Sequence, residues 1–307
     1  MRIACIGECM IELAPRAGGE GGGAFTLSFG GDTLNTAIYM ARLGQQVDYL
    51  TALGDDGFSD RMLAAWRAEG IGTRHVARLK GRLPGLYLIE TDGEGERRFH
   101  YWRQQAPARE LFALPGTAEL VAELARFDLI YLSGITLSLY GEAGREVLLD
   151  ALVNARRHGA RVAFDTNYRP RGWSSAAEAR QAMAELLKLT DIALTGLDDE
   201  HALYGLTLAR EAVHRLQASG IDEIVIKLGR RGAIVAGHDF MTEVAAETVG
   251  TPVDTTAAGD SFNAAYLVRR AAGATPEEAA AAGNRLAAEV IRHPGAIIPK
   301  EAMPALA

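Results

Sequence analysis

Residues 254–262, which read DTTAAGDSF, place several small residues and a carboxylate at the start of a predicted helix. Small residues let a ligand approach the backbone closely, and the unpaired N–H groups at a helix start attract a phosphate or a developing oxyanion. Asp260 in this position is suited to accept the proton of a hydroxyl group while the amides of the turn hold a phosphoryl group. The same residues also fit an ordinary N-cap without catalytic function.

A second polar segment, residues 30–35 with the sequence GGDTLN, opens another predicted helix. The side chains of Asp32 and Asn35 can form hydrogen bonds with the hydroxyl groups of a polyol. The plainer interpretation is a capped helix start after a turn.

A third segment, residues 165–173 with the sequence DTNYRPRGW, follows a predicted strand. Ligands of open α/β sheets bind beyond the carboxyl ends of the strands, so polar residues there are candidates for binding. The planar guanidinium of Arg169 can bind a carboxylate or a phosphate through two parallel hydrogen bonds. Arg171 fits a solvated surface charge equally well.

A predicted β-hairpin carries Tyr87, Tyr101, Trp102 and Arg103. Aromatic rings and an arginine on such an arm can cover a sugar and pair with an anionic group. They also fit the apolar face of a small sheet that packs on another subunit, and the two interpretations are compatible.

Strand and helix patterns that alternate along most of the chain supply the scaffold for these residues. Such alternation implies right-handed βαβ units and a mostly parallel sheet covered on both faces, which is an α/β fold. Gly70 and Gly220 stand where C-terminal caps of two helices are expected. The predicted strands are 2–7, 47–53, 129–133, 161–165, 192–195 and 223–227. The predicted helices are 33–43, 59–69, 141–158, 175–189 and 209–219.

Two segments, at about residues 10–30 and 74–103, interrupt this alternation. The first contains a glycine-rich run, GGEGGG, followed by the alternating AFTLSF. The second contains LYLIETD and RRFHYW, and Asp92-Gly93 between them is a hairpin turn signal. We therefore expect one domain over residues 1–307, with a small sheet that forms a lid or an insertion.

The composition excludes several classes of protein. The 307 residues are 48% hydrophobic and 23% charged, as in ordinary globular proteins. The net charge of −7 argues against a general nucleic-acid or membrane-surface binder. No stretch approaches the about 20 apolar residues of a membrane span, so a cytoplasmic protein is expected. Cys5 and Cys9 are predicted to be small core residues.

Direct scanning excludes several common enzyme frameworks. The sequence has no Gly-Lys pair for a Walker A loop, no HRD of protein kinases and no His-Glu pair of helical zinc proteases. The glycine run at residues 18–23 does not lie between a strand and a helix, so a dinucleotide-binding oxidoreductase is also excluded.

The GGDTLN and DTTAAGD segments together resemble the two signatures of the ribokinase-like (PfkB) carbohydrate kinases. The resemblance covers nearly the whole chain and extends to the branch of the family that phosphorylates 2-dehydro-3-deoxy-D-gluconate (KDG), a keto-deoxy sugar acid. The segments that carry the narrower resemblance are IGECMIEL, GGDTLNTA, RLPGLYLIETD, GERRFHYWR, NYRPRGW, DTTAAGDSF and GAIIPKEAMP.

This resemblance implies a three-layer α/β/α sandwich with a β lid that closes over the acceptor and, as a first expectation, pairs with a second subunit in a homodimer. It implies ATP-dependent phosphorylation of KDG to its 6-phosphate with Mg²⁺, with Asp260 as the general base. An anion hole is implied for the amides of Ala257, Ala258 and Gly259. Acceptor contacts are implied for Gly31, Tyr87, Tyr101, Trp102, Arg103 and Arg169, together with Asp32 and Asn35 of the GGDTLN segment. ATP contacts are implied for Asn167, Lys227, Gly229, Gly232, Ala258, Gly259 and Asn284.

Two positions depart from the family pattern. The family turn usually begins with glycine where this chain has Ala257, which predicts ordinary backbone angles there. Many relatives carry Asn-x-x-Glu near the phosphates, whereas residues 197–200 read LDDE and lack the Asn. Glu200 is therefore the candidate for a magnesium contact through water.

Three hypotheses about function follow. The first is the KDG kinase, and the second is a kinase of the same class that acts on fructose or a ribose-like sugar. The third is a sugar-acid-binding protein without turnover, against which the intact Asp260 and anion hole argue. Arg103 and Arg169 favour an acidic acceptor, since a neutral sugar gives less reason for cations around it.

Overall fold

The computed structural model describes residues 1–15, 24–91 and 97–306, in which strands and helices alternate along most of the chain. The strands are β1 (Arg2–Ile6), β2 (Met10–Pro15), β3 (Phe25–Gly30), β4 (Gln46–Gly54), β5 (Val76–Leu79), β6 (Leu86–Thr91), β7 (Arg97–Trp102), β8 (Leu129–Ser133), β9 (Arg161–Asp165), β10 (Ile192–Gly196), β11 (Glu223–Lys227), β12 (Ala233–Ala236) and β13 (Met241–Val244). The α-helices are α1 (Asp32–Arg42), α2 (Gly57–Ala68), α3 (Thr117–Leu124), α4 (Gly134–Leu139), α5 (Glu142–Arg157), α6 (Ala176–Leu187), α7 (Leu197–Tyr204), α8 (Ala209–Gln217), α9 (Ala258–Ala271) and α10 (Pro276–Val290). Short 3₁₀ helices cover Pro107–Ala113, Pro170–Gly172, Gly229–Arg231 and Lys300–Ala302.

The larger sheet has nine strands, as far as the chain is described, in the order β13-β12-β11-β10-β9-β8-β1-β4-β5. The strands from β11 to β5 run parallel to their neighbours, whereas β12 and β13 pair antiparallel at one end. The strand order reverses at β1, which lies between β8 and β4. Such a reversal opens a crevice beyond the carboxyl ends of the strands, and the candidate site lies there.

Helices cover both faces of this sheet because the strands are apolar on both sides. In β1, Ile3 and Cys5 pack toward α1, α2, α9 and α10, whereas Ala4 and Ile6 pack toward α3, α5, α6 and α8. Two apolar layers, one on each face, therefore hold the sheet between helices. This arrangement confirms the predicted α/β sandwich.

The predicted elements of the sandwich agree with the structure to within two residues at either end. Gly70 and Gly220 follow α2 and α8 with φ of +81° and +83°, the left-handed conformation that suits a glycine after a helix. Cys5 and Cys9 are buried free thiols, as predicted.

A second, smaller sheet has the order β3-β2-β6-β7 and forms the lid. Both predicted lid segments contribute to it, but β5 pairs in parallel with β4 at the edge of the larger sheet. The second lid segment therefore begins at β6 and not at residue 74. The glycine run at 18–23 and the turn signal at Asp92-Gly93 lie outside the described residues.

Within the ranges that the structure describes, no helix is both long enough and apolar enough to cross a membrane.

Candidate active site

A cavity of about 1050 Å³ lies between the lid and the carboxyl edge of the larger sheet. The start of α1 contributes Gly31 and Asp32 to its wall, β7 and the residues after it contribute the lid side, and the loop after β9 closes a third side. The described residues of its wall include two carboxylates, Glu8 and Asp32, and a larger number of cations. These cations are Arg98, Arg103, Arg109, Arg169 and Arg171. The excess of positive charge favours an anionic ligand.

Asp260 lies in the first turn of α9, directly against the start of α1. Asn35 Nδ2 donates to Asp260 Oδ2 at 2.9 Å, and Thr36 Oγ1 donates to the main-chain oxygen of Asp260 at 3.2 Å. Burial, and after it the charge of Asp32, raises the pKa of Asp260 to about 8. A carboxylate with a pKa near neutral pH is well suited to serve as a general base.

The turn before α9 begins with Ala257 in the left-handed conformation, with φ of +60° and ψ of +12°. The prediction of ordinary backbone angles at this position is therefore wrong. The chain bends sharply here to present its next amides, and the small side chain of alanine tolerates the bend at some cost in energy. Of these amides, Ala258 N–H donates to Thr255 O at 3.3 Å, whereas Gly259 N–H belongs to a helical turn without intrahelical acceptors.

Lys227, at the end of β11, places a cation beside this turn. Its Nζ donates to Asp165 Oδ2 at 3.0 Å and to Asn263 Oδ1 at 3.2 Å. Asn263 Nδ2 in turn donates to the same Asp165 oxygen at 2.7 Å. A Cβ atom at Gly259 would lie 3.4 Å from Lys227 Nζ, so the ammonium group faces the predicted anion hole.

Three other predicted nucleotide-binding residues, Gly229, Gly232 and Asn284, follow Lys227 in the chain. A second cavity, of about 480 Å³, is lined by Lys227 and Gly229. Gly232 has φ of +100°, and a Cβ there would lie 2.1 Å from Val244 O. Asn284 Nδ2 donates to the same oxygen at 3.1 Å, so Gly232 and Asn284 contact one segment.

Asn167 is not part of that group. It lies after β9 with φ of +27°, and its Nδ2 donates to Asp32 Oδ2 at 2.7 Å. The structure therefore places Asn167 beside the cavity under the lid, which Asp32 lines. Its contact with ATP stays a prediction.

The lid residues differ in how they meet the cavity. Tyr101, Trp102 and Arg103 line it, and Arg103 Nη2 lies 2.5 Å from Glu8 Oε2. Burial raises the pKa of Glu8, whereas the charge of Arg103 opposes this shift. Tyr87 is buried within the lid and donates its hydroxyl group to Glu12 Oε2, which leaves only its oxygen to accept a hydrogen bond, and its contact with the acceptor stays a prediction.

Both arginines of the loop after β9 line the cavity. Arg169 Nη1 donates to Asp199 Oδ1 at 3.0 Å and remains more than half exposed. Arg171 Nη1 donates to Phe99 O of β7 at 3.0 Å. Arg171 is therefore more than a solvated charge, since it connects the larger sheet to the lid.

Glu200 is buried in α7 and forms an ion pair with Arg215 of α8. The Nε and Nη2 atoms of Arg215 lie 2.9 and 2.7 Å from its two carboxylate oxygens. Direct binding of a metal ion would require this pair to separate, and the contact through water stays a prediction. The described part of the chain holds no group of three or more His, Cys, Asp or Glu side chains placed to bind a metal.

Sequence reasoning missed several residues that the structure brings to the site. Glu8 and Glu12 interrupt the apolar run IGECMIEL after the predicted strand 2–7, and a charged residue within an apolar run was the available signal. Asn263 follows Asp260 by three positions, which places both on one face of α9. Arg109 carries no local signal, because it reaches the cavity from the 3₁₀ helix Pro107–Ala113.

Comparison with known proteins agrees with this geometry. Residues 1–303 match the family described as pfkB family carbohydrate kinase. A 2-dehydro-3-deoxygluconokinase of Escherichia coli is 46% identical over 311 residues, which covers 99% of each chain. Fructokinase-1 of Oryza sativa is 30% identical and covers 87% of this chain and 82% of its own. The crystal structure of a PfkB protein from Polaromonas superposes with a TM-score of 0.82 at 25% identity, covering 95% of each chain. With its sandwich, its lid and an aspartate at the start of α9, the chain thus belongs to the pfkB family of carbohydrate kinases.

Proposed function

We propose that the protein transfers the γ-phosphoryl group of ATP to the 6-hydroxyl group of KDG. The observation that carries this proposal is the cavity beside Asp32, whose described wall carries five arginines and two carboxylates. An acceptor with a carboxylate compensates that excess of positive charge, whereas a neutral sugar does not. The 46% identity to a 2-dehydro-3-deoxygluconokinase, against 30% to a fructokinase, supports the same acceptor.

Asp260 serves as the base in this reaction. Its ionised carboxylate, oriented by Asn35, accepts the proton of the acceptor hydroxyl as that oxygen bonds to the γ-phosphorus. The bond from the γ-phosphorus to the bridging oxygen breaks, and ADP leaves with the electron pair. Negative charge on the transferred group is held by the Gly259 amide and by Lys227, whose ammonium group faces the turn. Hydrogen-bond donors that are already in position before the reaction stabilise such charge without a further rearrangement of the site.

The nucleotide lies along Lys227 and Gly229, where the cavity of about 480 Å³ gives room for it. The residues present also fit a magnesium ion held through water. Asp165 Oδ1 is buried without a hydrogen-bond partner among the described residues. Burial raises the pKa of Asp199, and the nearby charge of Asp165 raises it further. When bound, Mg²⁺ would neutralise charge on the phosphates.

Release of ADP with different acceptors tests the proposal. The purified protein is assayed with ATP, Mg²⁺ and each of KDG, fructose and ribose at equal concentrations. KDG should give the highest kcat/KM. Faster turnover of fructose would overturn the acceptor assignment, and no turnover with any of the three would favour a binding protein without catalysis.

We also propose a homodimer formed through the lid, and a cytoplasmic location. Strand β3 lies at an edge of the small sheet, and its Phe25 and Leu27 are about 40% exposed on one face. An apolar edge of this kind supports pairing with a second copy of the lid. The use of ATP as a substrate supports the proposed location in the cytoplasm.

A further inference from the structure

Glu8 lies in the short connection between β1 and β2, where the chain passes from the larger sheet into the lid. Its side chain is 2% exposed and lines the acceptor cavity. Two glycines make room for it, because a Cβ at Gly31 would lie 2.1 Å from Glu8 O and a Cβ at Gly85 would lie 3.0 Å from Glu8 Oε1. Gly31 therefore makes room for the main chain of Glu8, and Gly85 makes room for its carboxylate.

The carboxylate and its ion-pair partner have hydrogen-bonding atoms that are not used. Glu8 Oε2 lies 2.5 Å from Arg103 Nη2, but in the part of the chain described both oxygens of Glu8 and the Nε and Nη2 atoms of Arg103 are buried without a hydrogen bond. Buried charged groups with unmet hydrogen bonds destabilise a fold. Both residues line the cavity, so a bound molecule that donates to Glu8 and accepts from Arg103 would supply the missing hydrogen bonds.

We propose that Glu8 determines the specificity of this site for a hydroxy acid. Glu8 Oε1 accepts a hydrogen bond from a hydroxyl group of the sugar acid, and Glu8 Oε2 holds the guanidinium of Arg103 toward the acid's carboxylate. A neutral sugar meets only the first requirement, and an acid without hydroxyl groups meets only the second. This role rests on the proposed function, since it names how the same acceptor is recognised.

The test is the affinity of Glu8→Gln for KDG, measured by titration calorimetry in the absence of ATP. Gln keeps the size of the side chain but removes the charge that holds Arg103. A hydrogen bond to a charged group contributes about 1.5–3 kcal/mol, so the Kd for KDG should rise roughly 10- to 150-fold. The Kd for ATP should change less than about twofold. An unchanged Kd for KDG would overturn the role of Glu8.

A matched control separates recognition from loosening of the structure. Glu110→Gln removes the charge of Glu110 from its ion pair with Arg82. The two side chains lie 2.6 Å apart, a distance similar to that of the Glu8–Arg103 pair, but neither of them lines the cavity. This variant should bind KDG as the unmodified protein does. An equal loss of affinity in both variants would overturn the proposal, because a general loosening would then explain it.

Two further measurements complete the test. Glu8→Asp keeps the charge but moves it away from the cavity by the length of one methylene group, so it should also weaken KDG binding. This variant provides the test if Glu8→Gln does not fold. In a double-mutant cycle with Arg103→Lys, Glu8→Gln should weaken binding much less than it does alone, and simple additivity would overturn the coupling.

If the unmodified protein neither binds nor phosphorylates KDG, the proposed function fails together with this role. If it does both and the Glu8 variants bind normally, the role of Glu8 alone fails.

Discussion

Asp260 shares its surroundings with two other carboxylates, Asp32 and Asp165, which both disfavour its ionised form. Asn35 and Lys227 oppose them by stabilising the ionised form. Asp32 is also buried, and burial raises its pKa, so a negative charge on Asp32 makes ionisation of Asp260 less favourable. The base is therefore sensitive to any charge that arrives with the substrates.

The pH dependence of kcat/KM should report this base. Since Asp260 acts in its ionised form, kcat/KM for the acceptor should fall as the pH falls through about 8, its raised pKa. Initial rates between pH 6 and pH 9.5 measure this. Asp260→Asn is the control, which should lower turnover roughly 10²- to 10⁴-fold and abolish the same limb. A profile of the unmodified protein that stays flat from pH 6 to pH 9 would contradict the assignment.

At the scale of elements, the turn proposed as the anion hole depends on one residue in an uncommon conformation. Ala257 precedes α9 in the left-handed region, where an L-residue is roughly 1–2 kcal/mol less favourable than in ordinary conformations. Glycine has no such penalty, although it also gives the unfolded chain more freedom.

Ala257→Gly should therefore raise the free energy of unfolding by up to about 1 kcal/mol, because the relief of strain exceeds the added freedom of the unfolded chain. Urea denaturation measures the change. Ala258→Gly is the matched control, since Ala258 is the first residue of α9 and glycine there should lower the free energy of unfolding by less than about 1 kcal/mol. Equal destabilisation by both substitutions would show that Ala257 is not strained.

Strands β1, β4, β8, β9, β10 and β11 and helices α1, α2, α5, α6 and α8 were predicted from the sequence by their apolar runs and apolar faces. Helices α3, α4, α7 and α10 and strands β12 and β13 were not predicted. The strained turn could not be predicted, since alanine gives no local signal for a positive φ. The roles of Glu8 and Arg109 could not either, because they depend on contacts between segments far apart in the chain. Lys227 was placed in the site only by resemblance, and its pairing with Asp165 becomes visible only when β9 and β11 are brought to one edge.

At the scale of the whole molecule, the lid is held against the larger sheet by contacts at the cavity itself. The Arg171–Phe99 hydrogen bond joins the loop after β9 to β7 of the lid, and the Glu8–Arg103 pair joins the connection from β1 to β2 with the residue that follows β7. Movement of the lid therefore changes the acceptor site directly. An interface that fixes the lid would in turn affect binding of the acceptor.

Leu27→Glu should convert the proposed dimer into a monomer, because it places a charge on the exposed apolar edge of β3. Light scattering after size-exclusion chromatography should then give the mass of one chain, 32.8 kDa. Leu83→Glu is the control, since Leu83 is 61% exposed outside both sheets and should leave the mass unchanged. A dimer that survives Leu27→Glu would place the interface elsewhere.

The composition of the lid from two separate segments also has a consequence for synthesis on the ribosome. Its apolar cluster joins Met10 of the first segment to Tyr87 and Ile89 of the second, and a two-stranded hairpin alone is at best marginally stable. The hairpin of β2 and β3 therefore leaves the exit tunnel long before β6 and β7 can cover it. During that interval its apolar side is open to chaperones, and slower translation between residues 30 and 86 would lengthen the exposure.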